Sequence, residues 1–184
     1  MGEVDPRDFL VTATLRNGTA ITIRHVRPDD RERLARAFRN LEPETVFTRF
    51  FRYVREVTEE DLSWATQTDP DRGVALVATT GTGADEIIIG GGRYIVSGGS
   101  EDKRSAELAF TVEEDYQGLG IASRILRHLV EIGRRQHLSC FDAYVLSGNA
   151  SMLRVFARSG LPMKQRRDGN VVHVELSLDE PVEP

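Results

Sequence analysis

Apolar and polar residues alternate through VTATLRNGTAITIRHV, Val11 to Val26, on both sides of Asn17-Gly18. A period of two marks a half-buried strand, and Asn-Gly readily accepts positive φ in a two-residue turn, so the stretch predicts a β-hairpin. The period then lengthens. In RPDDRERLARAFRNL, Leu34, Phe38 and Leu41 recur at helical spacing behind Pro28, which suits a first helical position, with Asp29 and Asp30 in the first turn. PETVFTRFFRYV sets Val46, Phe47, Phe50, Phe51 and Val54 on one broad face, and TEEDLSWATQT reads as a short capped helix. Three helical pieces are expected after the hairpin.

GVALVATT and EIIIGGGRYIVS are β-type runs joined by the turn GTGAD, and SAELAFTV is a third strand after the loop GGSEDKRS, which predicts an antiparallel meander. Farther on, Ile121, Ile125, Leu129 and Ile132 form a helical stripe flanked by Ala122, Leu126 and Gly133, with Arg124, Arg127, Glu131 and Arg134 outside it. CFDAYVL predicts a strand, NASMLRVFARSG a short helix ended by Gly160, and VVHVELSL a final strand. Without repeat or linker, the whole reads as one α/β domain: a mixed, mostly antiparallel sheet flanked by helices, its core about residues 20–178 and 179–184 a flexible tail.

Composition agrees with one core, because 184 residues are too few for two comfortable domains and the 40% hydrophobic, 29% charged balance is that of a folded globule. A formal charge of -5 disfavours general nucleic-acid binding. No stretch is apolar enough to cross a membrane and MGEVDPRDFL lacks a secretory pattern, so the expected location is cytoplasmic, with no membrane partner. The single cysteine, Cys140, is expected in the core, and His25, His128, His137 and His173 show no metal spacing, so no metal is expected.

Chemistry concentrates in DYQGLGIASRIL, Asp115 to Leu126, where two glycines precede a helix. Such a loop is a phosphate cradle: glycine lets the backbone approach an anion, and the helix start supplies free N–H groups and partial positive charge. A Walker loop is excluded, since no lysine occurs between Lys103 and Lys164. GLGIAS imitates a Rossmann fingerprint except at its last position, but it follows an antiparallel meander with only about 65 residues left, against the early parallel βαβ unit that fingerprint needs.

QGLGIA, Gln117 to Ala122, together with the strand before it, the helix after it and GNASMLRVFARSG downstream, resembles the Q/R-x-x-G-x-G/A signature of the GNAT superfamily of acetyl-CoA-dependent N-acetyltransferases. IRHVRPDD, TVFTRFF, GGGRYIV and AELAFTVEEDYQGLGIAS further resemble its Pat-type protein lysine acetyltransferases. Acetyl-CoA is the co-substrate this implies. Its binding would fall to Gln117, Gly118, Leu119, Gly120, Ile121, Ala122 and Ser123 around the pyrophosphate, to the backbone of Phe110, Thr111 and Val112 along pantetheine, and to Asn149, whose alternative role is a helix cap. Arg124 is a further phosphate candidate. Pat-type proteins often carry a second, regulatory or synthetase domain, for which 184 residues leave no room.

Acetyl transfer needs a neutral amine, and a lysine of pKa about 10.4 costs roughly 4 kcal/mol to deprotonate near pH 7.4. In SAELAFTV, Glu107 is a carboxylate on a strand of small or apolar residues, where partial desolvation would raise its basicity. The resemblance implies the same residue as general base. One departure stands out: Phe156 occupies the place where many GNAT enzymes carry a tyrosine that protonates the leaving thiolate, and Tyr116 and Tyr144 do not match it. The acceptor is expected to be a protein lysine, with a small-molecule amine as the alternative and a non-catalytic acyl-CoA sensor as the rival from another class.

Overall fold

The computed structural model describes residues 5–43, 57–100 and 103–179, and within them one eight-stranded sheet organises everything. Its strands are β1 (Leu10–Thr14), β2 (Ala20–His25), β3 (Gly73–Thr80), β4 (Ile87–Ser100), β5 (Lys103–Val112), β6 (Leu138–Leu146), β7 (Met163–Asp168) and β8 (Val171–Ser177). They lie in the order β1-β2-β3-β4-β5-β6-β8-β7, every pair antiparallel except β5 with β6. The helices are α1 (Arg31–Arg39), α2 (Glu59–Gln67), α3 (Ile121–Arg135) and α4 (Ala150–Ala157).

Helix α3 covers one face of the sheet. Ile121, Ile125, Leu126, Leu129, Val130 and Ile132 are buried there with Leu76, Leu108, Phe141 and Val174. Each such aliphatic side chain contributes roughly 1.5–3 kcal/mol of transfer free energy. Helix α3 settles close because β4 presents Gly90-Gly91-Gly92: a Cβ on Gly92 would lie 2.7 Å from the Phe110 ring and 2.8 Å from Ile125 Cγ2. That close seat fixes where the helix begins. On the other face, α1 and α2 place Leu34, Ala37 and Trp64 against Val26, Ala75, Val77 and Ile88.

Four expectations are corrected. The hairpin turn is longer than two residues: Leu15 N–H bonds Thr19 O, and Arg16, Asn17 and Gly18 form the loop, with Gly18 at φ 86°. Pro28 opens a 3₁₀ turn, Pro28–Asp30, rather than α1 itself, because Asp30 turns inward. Its carboxylate, 0% exposed, accepts from Arg24 at 2.7 and 2.9 Å and from Arg27 N–H at 2.7 Å, while Arg24 also bonds Glu86. GGSEDKRS is mostly strand, with Gly98 paired to Ser105 and Ser100 to Lys103. Strand β7, Met163–Asp168, escaped notice because MKQRRD is an exposed edge strand with little apolar alternation.

Thr58 caps α2 through Asp61 N–H, as read from its sequence. The helix expected in PETVFTRFFRYV and the tail beyond Asp179 lie outside the described residues. Among those described, no helix is long and apolar enough to cross a membrane.

Candidate active site

Strands β5 and β6 pair only from Arg104 with Leu138 to Glu107 with Asp142. Beyond that point β5 follows β4 as far as Val112, and β6 follows β8 as far as Leu146, so the two part. A cleft of about 640 Å³ opens between them. It gathers most of the residues expected to bind coenzyme: Phe110, Thr111 and Val112 of β5, Gln117, Gly118 and Gly120 of the loop, Ile121, Ala122 and Ser123 at the start of α3, and Asn149 before α4.

Gly118 and Gly120 take φ of 75° and 91°, the left-handed region where a Cβ is strained. A Cβ on either would meet no protein atom within 4 Å, so what glycine preserves there is backbone freedom and open space. Helix α3 has no side-chain cap and no acidic residue in its first turn, which leaves its first N–H groups and its partial positive charge for an anion. Gln117 pins the loop, its Nε2 donating to Val112 O at 3.0 Å. These features fit the phosphates of a coenzyme. Gly120→Val, a β-branched residue in left-handed backbone, is expected to weaken coenzyme A binding about tenfold or more in calorimetry while the protein stays folded. Unchanged affinity would place the cradle elsewhere.

Asn149 is an N-cap, its Oδ1 accepting Met152 N–H at 3.1 Å, and it also lines the cleft. Leu119 does not line the cleft; it packs against the main core, because alternate loop residues turn to opposite sides. Arg124 donates to Thr14 O at 3.2 Å instead of lining the cleft. Arg16, Arg154 and Arg158 stand there in its place. The i, i+4 spacing of Arg154 and Arg158 could have revealed that pair; Arg16 arrives from the distant hairpin loop with no local signal. Phe156 is core, 1% exposed, with its ring 6.1 Å from that of Phe110.

Glu107 sits where the strands part. Its neighbours Ala106 and Leu108 are buried toward α3, so alternation puts Glu107 on the α1–α2 face. It is exposed, which corrects the expectation of desolvation: on β5 it points away from α3, the helix that buries Ala106 and Leu108. It makes no hydrogen bond or ion pair among the described residues. Its register partner Asp142, by contrast, is held by His173 Nε2 at 2.7 Å, and the His173 ring stacks on Tyr144. Cys140, expected in the core, is only half-buried, because on β6 it faces the side opposite Phe141, which packs in the core with α3.

A parallel pair that parts in mid-sheet, with a glycine loop opening an uncapped helix at the gap, makes a cleft suited to a phosphate-bearing ligand. A family model described as an acetyltransferase (GNAT) domain matches residues 20–162. The chain belongs to the GNAT acetyltransferase family. Acetyltransferase Pat of Mycolicibacterium smegmatis is 30% identical over 168 residues, 91% of this chain and 49% of that protein. Acetyltransferase PA5475 of Pseudomonas aeruginosa is 30% identical over 122 residues, 66% of this chain and 64% of that one, so the chain spans less than two thirds of either relative. Among solved structures, the GNAT domain of S. lividans PAT matches with a TM-score of 0.82 and 29% identity, over 91% of this chain and 96% of that one. An acetyltransferase-like protein from Salmonella typhimurium, solved with its cofactor acetyl-CoA, shares the fold at 18% identity and a TM-score of 0.69, over 89% of this chain and 97% of that one.

Proposed function

We propose that this chain, as one catalytic domain, is an N-acetyltransferase that moves an acetyl group from acetyl-CoA to a primary amine, with a protein lysine as the acceptor. The observation that carries the reading is the pairing of two features at one point of the sheet: an uncapped glycine loop at the mouth of the β5–β6 gap, and at its apex the carboxylate of Glu107, without a hydrogen bond or ion pair among the described residues. Acetyl-CoA supplies the activated acyl group. Arg16, Arg154, Arg158 and the start of α3 hold its phosphates, and the edge of β5 from Phe110 to Val112, which β6 no longer pairs, binds its pantetheine arm. Glu107 takes the proton from the amine as nitrogen bonds to the carbonyl carbon and the carbon–sulfur bond breaks.

An exposed base suits a lysine delivered on a long arm from a protein surface. Arginines on α1 could also meet an acidic surface on a partner protein: Arg31 and Arg33 are already paired, with Glu59 and with Asp30 and Glu86, and Arg36 and Arg39 make no ion pair among the described residues. The relatives named Pat favour the same reaction class.

The test is acetyl-CoA consumption across peptides, folded proteins and small amines. Turnover with appearance of acetyl-lysine on a folded protein is expected. Saturable turnover of a small amine without any acetylated protein would replace the lysine reading, and coenzyme binding without turnover on any acceptor would make the chain a sensor.

A further inference from the structure

Arg93 lies on β4 opposite Ala109, on the sheet face covered by α1 and α2. Its guanidinium carbon is 4.5 Å from the centre of the Trp64 ring, and its Nε is buried without a hydrogen-bond partner. The side chain makes no ion pair or hydrogen bond among the described residues. Burial works to lower its proton affinity, opposed by the charges of Asp61 and Glu107. Asp61 is committed elsewhere, accepting from Thr58 N–H at 3.1 Å and Thr58 Oγ1 at 2.7 Å. A partly buried cation lacking an anion is costly, and this fold supplies two carboxylates to its fully buried arginine, Arg24.

The unpaired cation lines a pocket of about 190 Å³ whose other walls are largely apolar, among them Leu34, Phe38, Leu62, Val77 and Ile88. That is room for at least about six water-sized groups, or a short aliphatic chain. An apolar body ending in one anion matches both features. We propose that this pocket binds an apolar monocarboxylate, its carboxylate on Arg93 and its aliphatic part among those side chains. Arg93 and Glu107 are diagonal neighbours across the β4–β5 pair, roughly 7–8 Å apart in the backbone. The carboxylate therefore has two sources: an apolar amino acid whose amine faces Glu107, or a free short-chain acid. The inference stands apart from acetyl transfer, since its readout is binding.

Trp64 is the sole tryptophan and lies against Arg93, so its emission reports on binding at that arginine. The full chain is titrated with hexanoate, with hexanol as the uncharged control, by Trp64 fluorescence and by calorimetry. Saturable hexanoate binding is expected, with hexanol, and hexanoate on Arg93→Gln, each weaker by about tenfold or more, the scale of a charge-assisted hydrogen bond. Arg93→Lys is expected to fall between, and it carries the test with the hexanol control if Arg93→Gln fails to fold. Equal affinity for hexanol, unchanged affinity in Arg93→Gln, or no saturable binding overturns the proposal. Norleucine then separates the sources. Competition with hexanoate and acetylation of norleucine mark the acceptor site, whereas hexanoate binding that norleucine does not disturb marks a free-acid ligand.

Discussion

Glu107→Gln is expected to lower turnover about a hundredfold or more at neutral pH while leaving coenzyme A affinity unchanged. The magnitude is that of a general base, and a hundredfold corresponds to about 2.7 kcal/mol of lost transition-state stabilisation. Affinity is spared because Glu107 does not line the coenzyme cleft. The deficit should narrow as pH rises, since a growing share of the amine is then neutral without help, and glutamine, nearly isosteric, keeps the fold. Steady-state rates from neutral to alkaline pH, with calorimetry for coenzyme, provide the check. A variant turning over at the wild-type rate at neutral pH and saturating amine would remove Glu107 from the mechanism.

Asp30→Ala is expected to cost about 3 kcal/mol of stability, because it leaves the Arg24 guanidinium, 2% exposed, with Glu86 as its one carboxylate among the described residues. For a chain of this size that is roughly 6–12 °C in melting temperature. The same carboxyl makes stability depend on acidity. Burial alone would raise its pKa, but the hydrogen bonds from Arg24 and Arg27 N–H, with the charges of Arg24 and Arg33, hold it below the ordinary carboxylate value. Its contribution is therefore complete above an unfolded pKa near about 3.9 and lost as pH falls through the lower folded value. Thermal melts of both proteins should converge in acid; an undiminished gap there would show that Asp30 acts only by packing.

What could be read from the sequence was what local chemistry dictates. Gly118 and Gly120 announced an open backbone cradle before a helix, the Ile121-to-Ile132 stripe announced a buried face, and Thr58 with Asp61 announced a cap. Both faces of β3 are buried, and GVALVATT shows it as an almost unbroken apolar run. What depended on pairing across the chain stayed hidden. MKQRRD becomes a strand only because β8 lies beside it, and Asp30 becomes a buried ion only because Arg24 and Glu86 converge from elsewhere. The same holds for the site. The loop residues of the cleft could be named in advance, whereas Arg16, the exposure of Glu107 and the lack of an ion pair at Arg93 among the described residues follow from tertiary arrangement.

Sheets usually keep their unpaired backbone at the periphery, and at one periphery this one is guarded: Lys164, Arg166 and Arg167 stud β7, a charge pattern that discourages a foreign strand from adding on. The parting of β5 and β6 creates two more edges in the middle of the sheet, and the inward-facing stretch Leu108 to Val112 carries no charge at all. An apolar edge of that kind is a template for wrong partners. On the proposed reading, the coenzyme that fills the gap is then more than a reactant: by lying along that edge it also shields the chain from aggregation.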